Sequence, residues 1–364
     1  MKSSYLKYTG VLFMILLIIS VGKLDAQITE KPSWREIQHR SREWYTSEEA
    51  RDIADNVLLY QHNNGGWLKN INMARELSEA EIKEIEIEKS QEIGTTIDNG
   101  ATHTQLRFLA RVYNATGDKK YKDAFLQGMD FLFEAQYENG GWPQFYPIRK
   151  GYYEHITFND GAMMGVMNLL RDIAKQKSTY SFVDKIRIQK AQNAIDKGLE
   201  IILKTQVKVD GELTIWCAQH DKDDLSPAKA RAYELPSLSG SESVGIVEYL
   251  LKIEDPSEDV KRSIRSAVKW FQENKVMGQK VMWIDDPDAP EGKDRIVVRD
   301  STGGPLWGRF NEIETGRPIF VGRDGKIKYH LDEIERERRV GYNYIDNYAE
   351  DLLNRKYPEW ENKH

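Results

Sequence analysis

Two short acidic turns are the first residues in this chain with chemistry to offer. They are Asp98-Asn99-Gly100 and Asn159-Asp160-Gly161, each followed by an apolar run of helical spacing. Within TTIDNGATHTQLRFLARVY, residues 95–113, Leu106, Leu109, Ala110 and Tyr113 recur at three- and four-residue intervals and form one helical face. Asp98 is therefore expected at or just before a helix N-terminus, where free N–H groups and the helix dipole favour an anion. An Asp in that place is more often a cap than a ligand. The second turn, inside ITFNDGAM at 156–163, repeats the design. Two like-built acidic turns in one chain point to a shared site of the kind that takes a cation.

A third stretch, RAYELPSLSGSES at 231–243, places Arg231 and Glu234 in a Pro- and Gly-containing loop ahead of a Ser-capped helix. On its own this reads as a surface ion pair of little energetic worth. Further on, WGRFNEIETGRP carries Arg309 and Arg317 among aromatics. Guanidinium forks match carboxylates, so a substrate bearing carboxylates along its length would fit. His103, His155 and His220 lie near these loops, but no His-x-x-x-His spacing supports zinc. Cys217 is the only cysteine, so an internal disulfide is excluded, and no base can be assigned to make it a nucleophile.

The elements that must position these groups are repeated. Gln61…Asn64-Gly65-Gly66-Trp67 and Gln136…Asn139-Gly140-Gly141-Trp142 share one pattern, and a weaker copy runs from Gln206 to Trp216. Each follows a helical segment and ends in a glycine chain reversal. Offsets of 75 and 70 residues suit a helical hairpin plus a loop. A helix pair cannot bury its apolar stripes alone, whereas successive pairs arranged in a ring can. The expected fold is mainly α: an incomplete α/α toroid, a barrel of helical hairpins, with loops gathered at one mouth. The pairing continues through Ser241–Lys252 and Asp259–Asn274. Short β segments follow after Lys275, including a hairpin at Asp324-Gly325.

Composition bounds the partners. The net charge of −6 and the lack of a basic stripe give no reason to expect nucleic acid. Lys2 and Lys7 precede an apolar run, Val11 to Val21, which leads to Asp25-Ala26 before Gln27. This is the pattern of a secretory signal peptide over residues 1–26, too short to remain as a bilayer span. The expectation is a secreted or periplasmic protein without stable membrane insertion after cleavage. Residues 27–364 would be its single catalytic domain, and a monomer.

Taken together, NGGW at 64–67, TIDNGAT at 96–102, QYENGGWPQFYP at 136–147, ITFNDGAM at 156–163, RAYELPSLSGSES at 231–243 and WGRFNEIETGRPIFVGRDG at 307–325 make the chain resemble a family 10 polysaccharide lyase, a pectate lyase. Their order spans nearly the whole mature chain. The resemblance implies a helical toroid that cleaves de-esterified homogalacturonan by calcium-assisted β-elimination and releases 4,5-unsaturated oligogalacturonides. It places calcium (Ca2+) at Asp98 and Asp160, with Asn99 a weaker ligand, and assigns the base to Arg231. Arg309 and Arg317 would hold substrate carboxylates, Glu234 would orient Arg231, and Tyr233 and Trp142, with Trp67, would either line the cleft or serve as structural packing at the repeat ends.

An arginine base conflicts with elementary acidity, because a guanidinium holds its proton above pH 12. Nearby cations and an alkaline working pH would reconcile the two; alternatively Arg231 chiefly stabilises the enolate. Other readings compete. A glycoside hydrolase on the same toroid would use Asp98 and Asp160 as acid and base. A non-catalytic acidic-glycan-binding protein would bind without turnover. A terpene cyclase shares the Gln-x-x-x-Gly-x-Trp pattern, but an exported location and an Arg-bearing mouth disfavour it.

Overall fold

The computed structural model describes residues 32–364 apart from Glu92 and Glu291. The expected signal peptide lies outside the described residues. Eleven α-helices are described: α1 (Trp34–Ile37), α2 (Glu48–Leu59), α3 (Glu79–Glu88), α4 (His103–Thr116), α5 (Lys119–Glu134), α6 (Ala162–Ala174), α7 (Lys185–Thr205), α8 (Gly240–Leu250), α9 (Glu258–Glu273), α10 (Arg336–Gly341) and α11 (Tyr357–Glu361). Helices α4/α5, α6/α7 and α8/α9 form successive hairpins. Helices α2, α4, α6 and α8 pack on one another in sequence, and α5, α7 and α9 form a second layer behind them. This is the mainly helical double layer expected from the repeat. No helix among the described residues is long and apolar enough to cross a membrane.

Caps set the helix starts. Ser47 Oγ accepts from Ala50 N at 3.1 Å ahead of α2, and Asp118 Oδ1 accepts from Lys120 N at 3.1 Å ahead of α5. The charged stretch after Ser78 is a helix with a full capping box, which compensates for its weak apolar face. Inner helix α6 buries Met163, Met164, Val166, Met167, Leu169, Leu170 and Ile173, consistent with contact on several sides.

The strands are brief and all antiparallel. β1 (Ile156–Thr157) pairs with β4 (Gln219–His220), β2 (Lys208–Val209) with β3 (Glu212–Leu213), and β5 (Gln279–Asp285) with β6 (Lys293–Arg299). β7 (Trp307–Gly308) pairs with β10 (Ile345–Asp346), and β8 (Phe320–Val321) with β9 (Ile327–Lys328). The last is the hairpin expected at Asp324-Gly325, with Gly325 at φ 69°. A short 3-10 turn at Leu331–Glu333 precedes α10.

The repeat is a hydrogen-bond device. Gln61 Nε2 donates to Gly65 O and Ala124 O at 3.0 and 2.9 Å. Gln136 Nε2 donates to Gly140 O and Ala194 O, both at 2.9 Å, and Gln206 Nε2 to Thr214 O and Ser263 O at 2.8 and 3.0 Å. Each glutamine thus closes its own loop and ties it to the next hairpin. The indoles do likewise. Trp67 donates to Val57 O, Trp142 to Leu132 O and Trp216 to Ile202 O, at 2.8, 2.8 and 2.7 Å.

Of the histidines noted in the sequence, His220 is buried and His103 half-buried. Burial pushes His103 down to about 3 and His220 down to about 4. His220 Nε2 accepts from Cys217 N at 3.1 Å, so the ring proton sits on Nδ1, which donates to Leu225 O at 2.9 Å. Protonation would cost that acceptor. Because these values lie below the unfolded value near 6.5, the unfolded chain binds protons first as pH falls. Stability should be flat above about pH 7 and decline below about 6.5, by roughly 2 kcal/mol per histidine at pH 5. Denaturant titrations at pH 7 and 5 measure this, and His220→Gln should flatten the slope.

Candidate functional site

Three tryptophan loops hold three acidic segments through the same backbone bond, and Trp67 N and Trp216 N add bonds to Thr102 and Ser243. Thr96 N donates to Trp67 O at 3.0 Å, Thr157 N to Trp142 O at 3.1 Å, and Ser239 N to Trp216 O at 2.7 Å. Two or three residues later the chain presents Asp98, Asp160 and Glu242. These segments lead into inner helices α4, α6 and α8, so the positive ends of three helix dipoles lie at this end of the molecule. The sequence reading found the first two acids and missed Glu242. A Thr or Ser two or three positions ahead of an acid, after each Trp loop, is the signal that could have found it.

Asp98 does not cap α4. It lies in a separate 3-10 turn, five residues ahead of the helix, with Asn99 at φ 50°. Its carboxylate is buried. Oδ2 takes the Lys69 ammonium and Gln144 Nε2, the latter at 2.6 Å, while Oδ1 is buried with no hydrogen-bond partner. The Asp160 turn packs against the Asp98 turn, with Asp160 itself at φ 50°. Such left-handed backbone strains a non-glycine residue, and strain of this kind gathers at functional sites.

Asp160 is more open than Asp98. Asn159 Nδ2 binds its Oδ2 at 2.7 Å, and Arg309 Nη2 binds its Oδ1 at 2.8 Å. The same Arg309 nitrogen reaches Glu242 Oε1 at 2.5 Å and Asn159 Oδ1 at 3.2 Å. Burial works against the Arg309 charge, yet Glu242, Tyr342 and Asp160 outweigh it and hold the guanidinium well above its ordinary value.

Arg309 also lies over the Tyr342 ring at 4.4 Å, and Arg231 lies over the same ring at 5.8 Å. Tyr342 O–H donates to Glu234 Oε1 at 2.8 Å, and Glu234 forks Arg231 through Nε at 2.7 Å and through Nη2. Hydrogen bonds from Glu234 push the Arg231 guanidinium further above its already high value. Burial would raise the Glu234 carboxyl, but Arg231 overrides it and keeps the group low. From Arg231 an aromatic rim leads back. Tyr152 lies within its electrostatic reach and 4.0 Å from the Tyr153 ring. Tyr153 is 5.2 Å from Phe145, and the Lys69 ammonium that binds Asp98 sits 5.5 Å over Phe145. The contacts run as a circuit through Tyr152, Tyr153, Phe145, Lys69, Asp98, Asp160, Arg309, Tyr342 and Arg231, whose two ends, Tyr152 and Arg231, are linked by charge and not by contact.

The comparisons with known proteins meet this geometry. The pectic acid lyase family model matches residues 61–353, which contain every member of the circuit. The chain belongs to the pectic acid lyase family. A family 10 polysaccharide lyase from Cellvibrio cellulosa is 35% identical, with a TM-score of 0.71, over 86% of this chain and 93% of that one. A point mutant of that enzyme, solved in complex with trigalacturonic acid, matches with the same identity and TM-score over 86% and 94%. Among curated proteins none matches.

Within this polysaccharide lyase, several expected residues stand elsewhere than the sequence suggested. Trp142 was expected to bind substrate, but its side chain is fully buried with its indole N–H spent on Leu132 O, so no sugar can stack on it. Trp67 is buried in the same way. Tyr233 is 6% exposed and lies beneath Arg231, Arg338 and Arg323, so it supports guanidinium groups instead of lining the cleft. Arg309, expected to grip the substrate, is buried and engaged by protein acids; it positions Asp160. Arg317 is exposed and stacks on Tyr329 at 3.6 Å, and it makes no contact with the circuit. Glu234 orients Arg231 as the resemblance implied. Lys69, Gln144 and Tyr342 were missed: Gln144 lies within the quoted QYENGGWPQFYP stretch but had no role assigned, and no local pattern marks Lys69 or Tyr342.

No group of three or more His, Cys, Asp or Glu among the described residues forms a ready-made metal cage. The oxygens present still suit a hard cation. Asp98 Oδ1 is buried and unpartnered, and the Asp160 turn is packed beside it. Asn99 spends its Nδ2 on Asn70, at 2.9 Å, and leaves its carbonyl oxygen unused. An incomplete oxygen set of this kind fits calcium that completes its shell with substrate and water.

Proposed function

We propose that this lyase cleaves de-esterified polygalacturonate by β-elimination. The proton on C5 of a galacturonate is removed, its electron pair forms the C4=C5 bond, and the C4–O bond breaks. The departing oxygen takes a proton from solvent, leaving a 4,5-unsaturated product. The single observation that carries this reading is the circuit, which brings two acids, a forked arginine and an aromatic rim together from distant parts of the chain.

Asp98, Asp160 and Asn99 would hold calcium. When bound there, the ion supplies charge neutralisation at the sugar carboxylate and so acidifies the adjacent C–H. Arg309 and Gln144 fix the two carboxylates in place, and Lys69 screens Asp98 until substrate arrives. Arg231 is assigned to the C5 proton. Its fork with Glu234 aims it, but also holds its own proton firmly, so turnover should rise toward alkaline pH. Arg317 would meet the polymer outside this centre. The basic, apolar amino-terminal run of the sequence supports export, so the polymer would be met outside the cytoplasm.

Incubation with polygalacturonate tests the reading. Ultraviolet absorbance from the conjugated double bond should grow with time, vanish with a chelator and return with added calcium. New reducing ends without absorbance would instead mark a hydrolase, and retention without either would mark a binding protein.

A further inference from the structure

A second cationic cavity lies away from the circuit. Arg40, Arg42 and Arg111 line a space of about 460 Å³ together with Tyr45, Asn114, Ala115, Ser178 and Thr179. Its volume falls within the usual range for small-ligand sites, about 300–1,000 Å³. Helix α4 spans the gap: it begins at His103 beside the Asp98 turn and reaches the cavity at Arg111 and Ala115. At the rise of an α-helix this separates them by roughly 18 Å.

The charge arrangement is unusual for a chain of net charge −6. No carboxylate lines the cavity among the described residues. Arg111 donates Nη1 to Gln38 O at 2.7 Å and to Tyr45 O–H at 3.1 Å, which fixes the guanidinium while leaving Nε and Nη2 without a protein partner. Arg40 lies over Trp44 at 5.9 Å, and among the described residues no carboxylate comes within ion-pair distance of Arg40 or Arg42. The neighbouring acid, Asp172, is already held by Arg107 at 2.9 Å and Lys177 at 2.7 Å. Glu36 and Glu43 lie within electrostatic reach of Arg40 and Arg42 but outside the lining, so three arginines share this space with no carboxylate between them, and an external anion there would relieve their mutual repulsion. Forked donors suit carboxylates, and the flanking hydroxyl and amide groups of Ser178, Thr179 and Asn114 suit sugar hydroxyls.

We propose that this cavity is a second binding site for a uronate-bearing oligosaccharide, separate from the cleft, that holds the enzyme on its acidic polymer. The choice of a uronate rests on the functional reading above; the existence of an anion site rests on the arginines alone.

The experiment is calorimetric titration of trigalacturonate into Arg231→Ala protein with calcium present. Two sites are expected, and the additional change Arg40→Ala/Arg42→Ala should weaken one of them at least ten-fold. Both arginines are exposed, so folding should be unaffected, and the double variant on a wild-type background should retain turnover of trigalacturonate. Inorganic phosphate and a neutral galactose trimer are the comparison probes. Unchanged stoichiometry in the double variant, or a cavity that takes phosphate but not trigalacturonate, overturns the proposal. Failure of the functional reading gives a different signature: one site only, abolished by Arg40→Ala/Arg42→Ala and untouched by Asp160→Ala.

Discussion

Arg231→Ala is expected to lower kcat on polygalacturonate by about 10³-fold or more while leaving substrate affinity within a few-fold, as removal of a positioned proton acceptor does. Arg231 is held by one buried partner, Glu234, and by two aromatic rings, so its removal leaves the Asp98–Asp160 pair intact. Arg231→Lys should recover little, because a single ammonium cannot reproduce the fork. The companion change Glu234→Gln separates the two roles an arginine can play here. Glu234 is what raises the Arg231 value, so its neutralisation should move the rising limb of the pH–kcat/KM profile down by about one unit or more. A profile that keeps its midpoint while kcat drops would make Arg231 a stabiliser of the enolate and not the base. Near-normal turnover in Arg231→Ala would remove it from the mechanism.

The second large effect concerns stability. Gly140→Ala is expected to cost about 3–5 kcal/mol, combining left-handed strain with forced overlap. Gly140 has φ +100°, and a Cβ there would stand 2.2 Å from the backbone oxygen of Lys197. No side-chain rotation relieves that contact, because α7 itself would have to move. Gly65 is in the matching position of the first repeat, where the added atom would meet Gln127 O at 2.4 Å. Thermal unfolding of both variants checks the claim, with Gly211→Ala as a control: it shares the positive φ, at +86°, but has open space around it. Its loss should be confined to the backbone strain.

Much of the fold was legible because the repeat announces itself. Gln, Gly and Trp recur at fixed places for a reason that one side chain and one backbone bond explain, and apolar spacing marks the hairpins. The acidic turns were legible too, through their Asp-Gly and Asn-Gly chemistry. What sequence alone misassigned were exposures. Trp142 and Arg309 carry groups that suit sugars and carboxylates, and only packing decides that an indole is swallowed by its own hairpin or that a guanidinium is spent on Asp160 and Glu242. Lys69 and Tyr342 were invisible for the opposite reason: their partners lie 29 and 108 residues away, and nothing local signals such a meeting.

The bond from each Trp carbonyl to the segment bearing an acid has a bearing on how such a cleft can diversify. Positions 67 and 96, 142 and 157, and 216 and 239 are joined by the same single contact, although the stretches between them differ widely in length. The first includes a whole helix, Glu79–Glu88, whereas the second has nothing longer than a three-residue turn. Chain between the two anchor points can therefore differ in length, provided that Lys69, Gln144 and Arg231, which lie within these stretches, keep their places. Within the first stretch the helix Glu79–Glu88 carries none of the site residues, so engineers seeking new sugar preferences should graft there and leave the anchors and the site residues untouched.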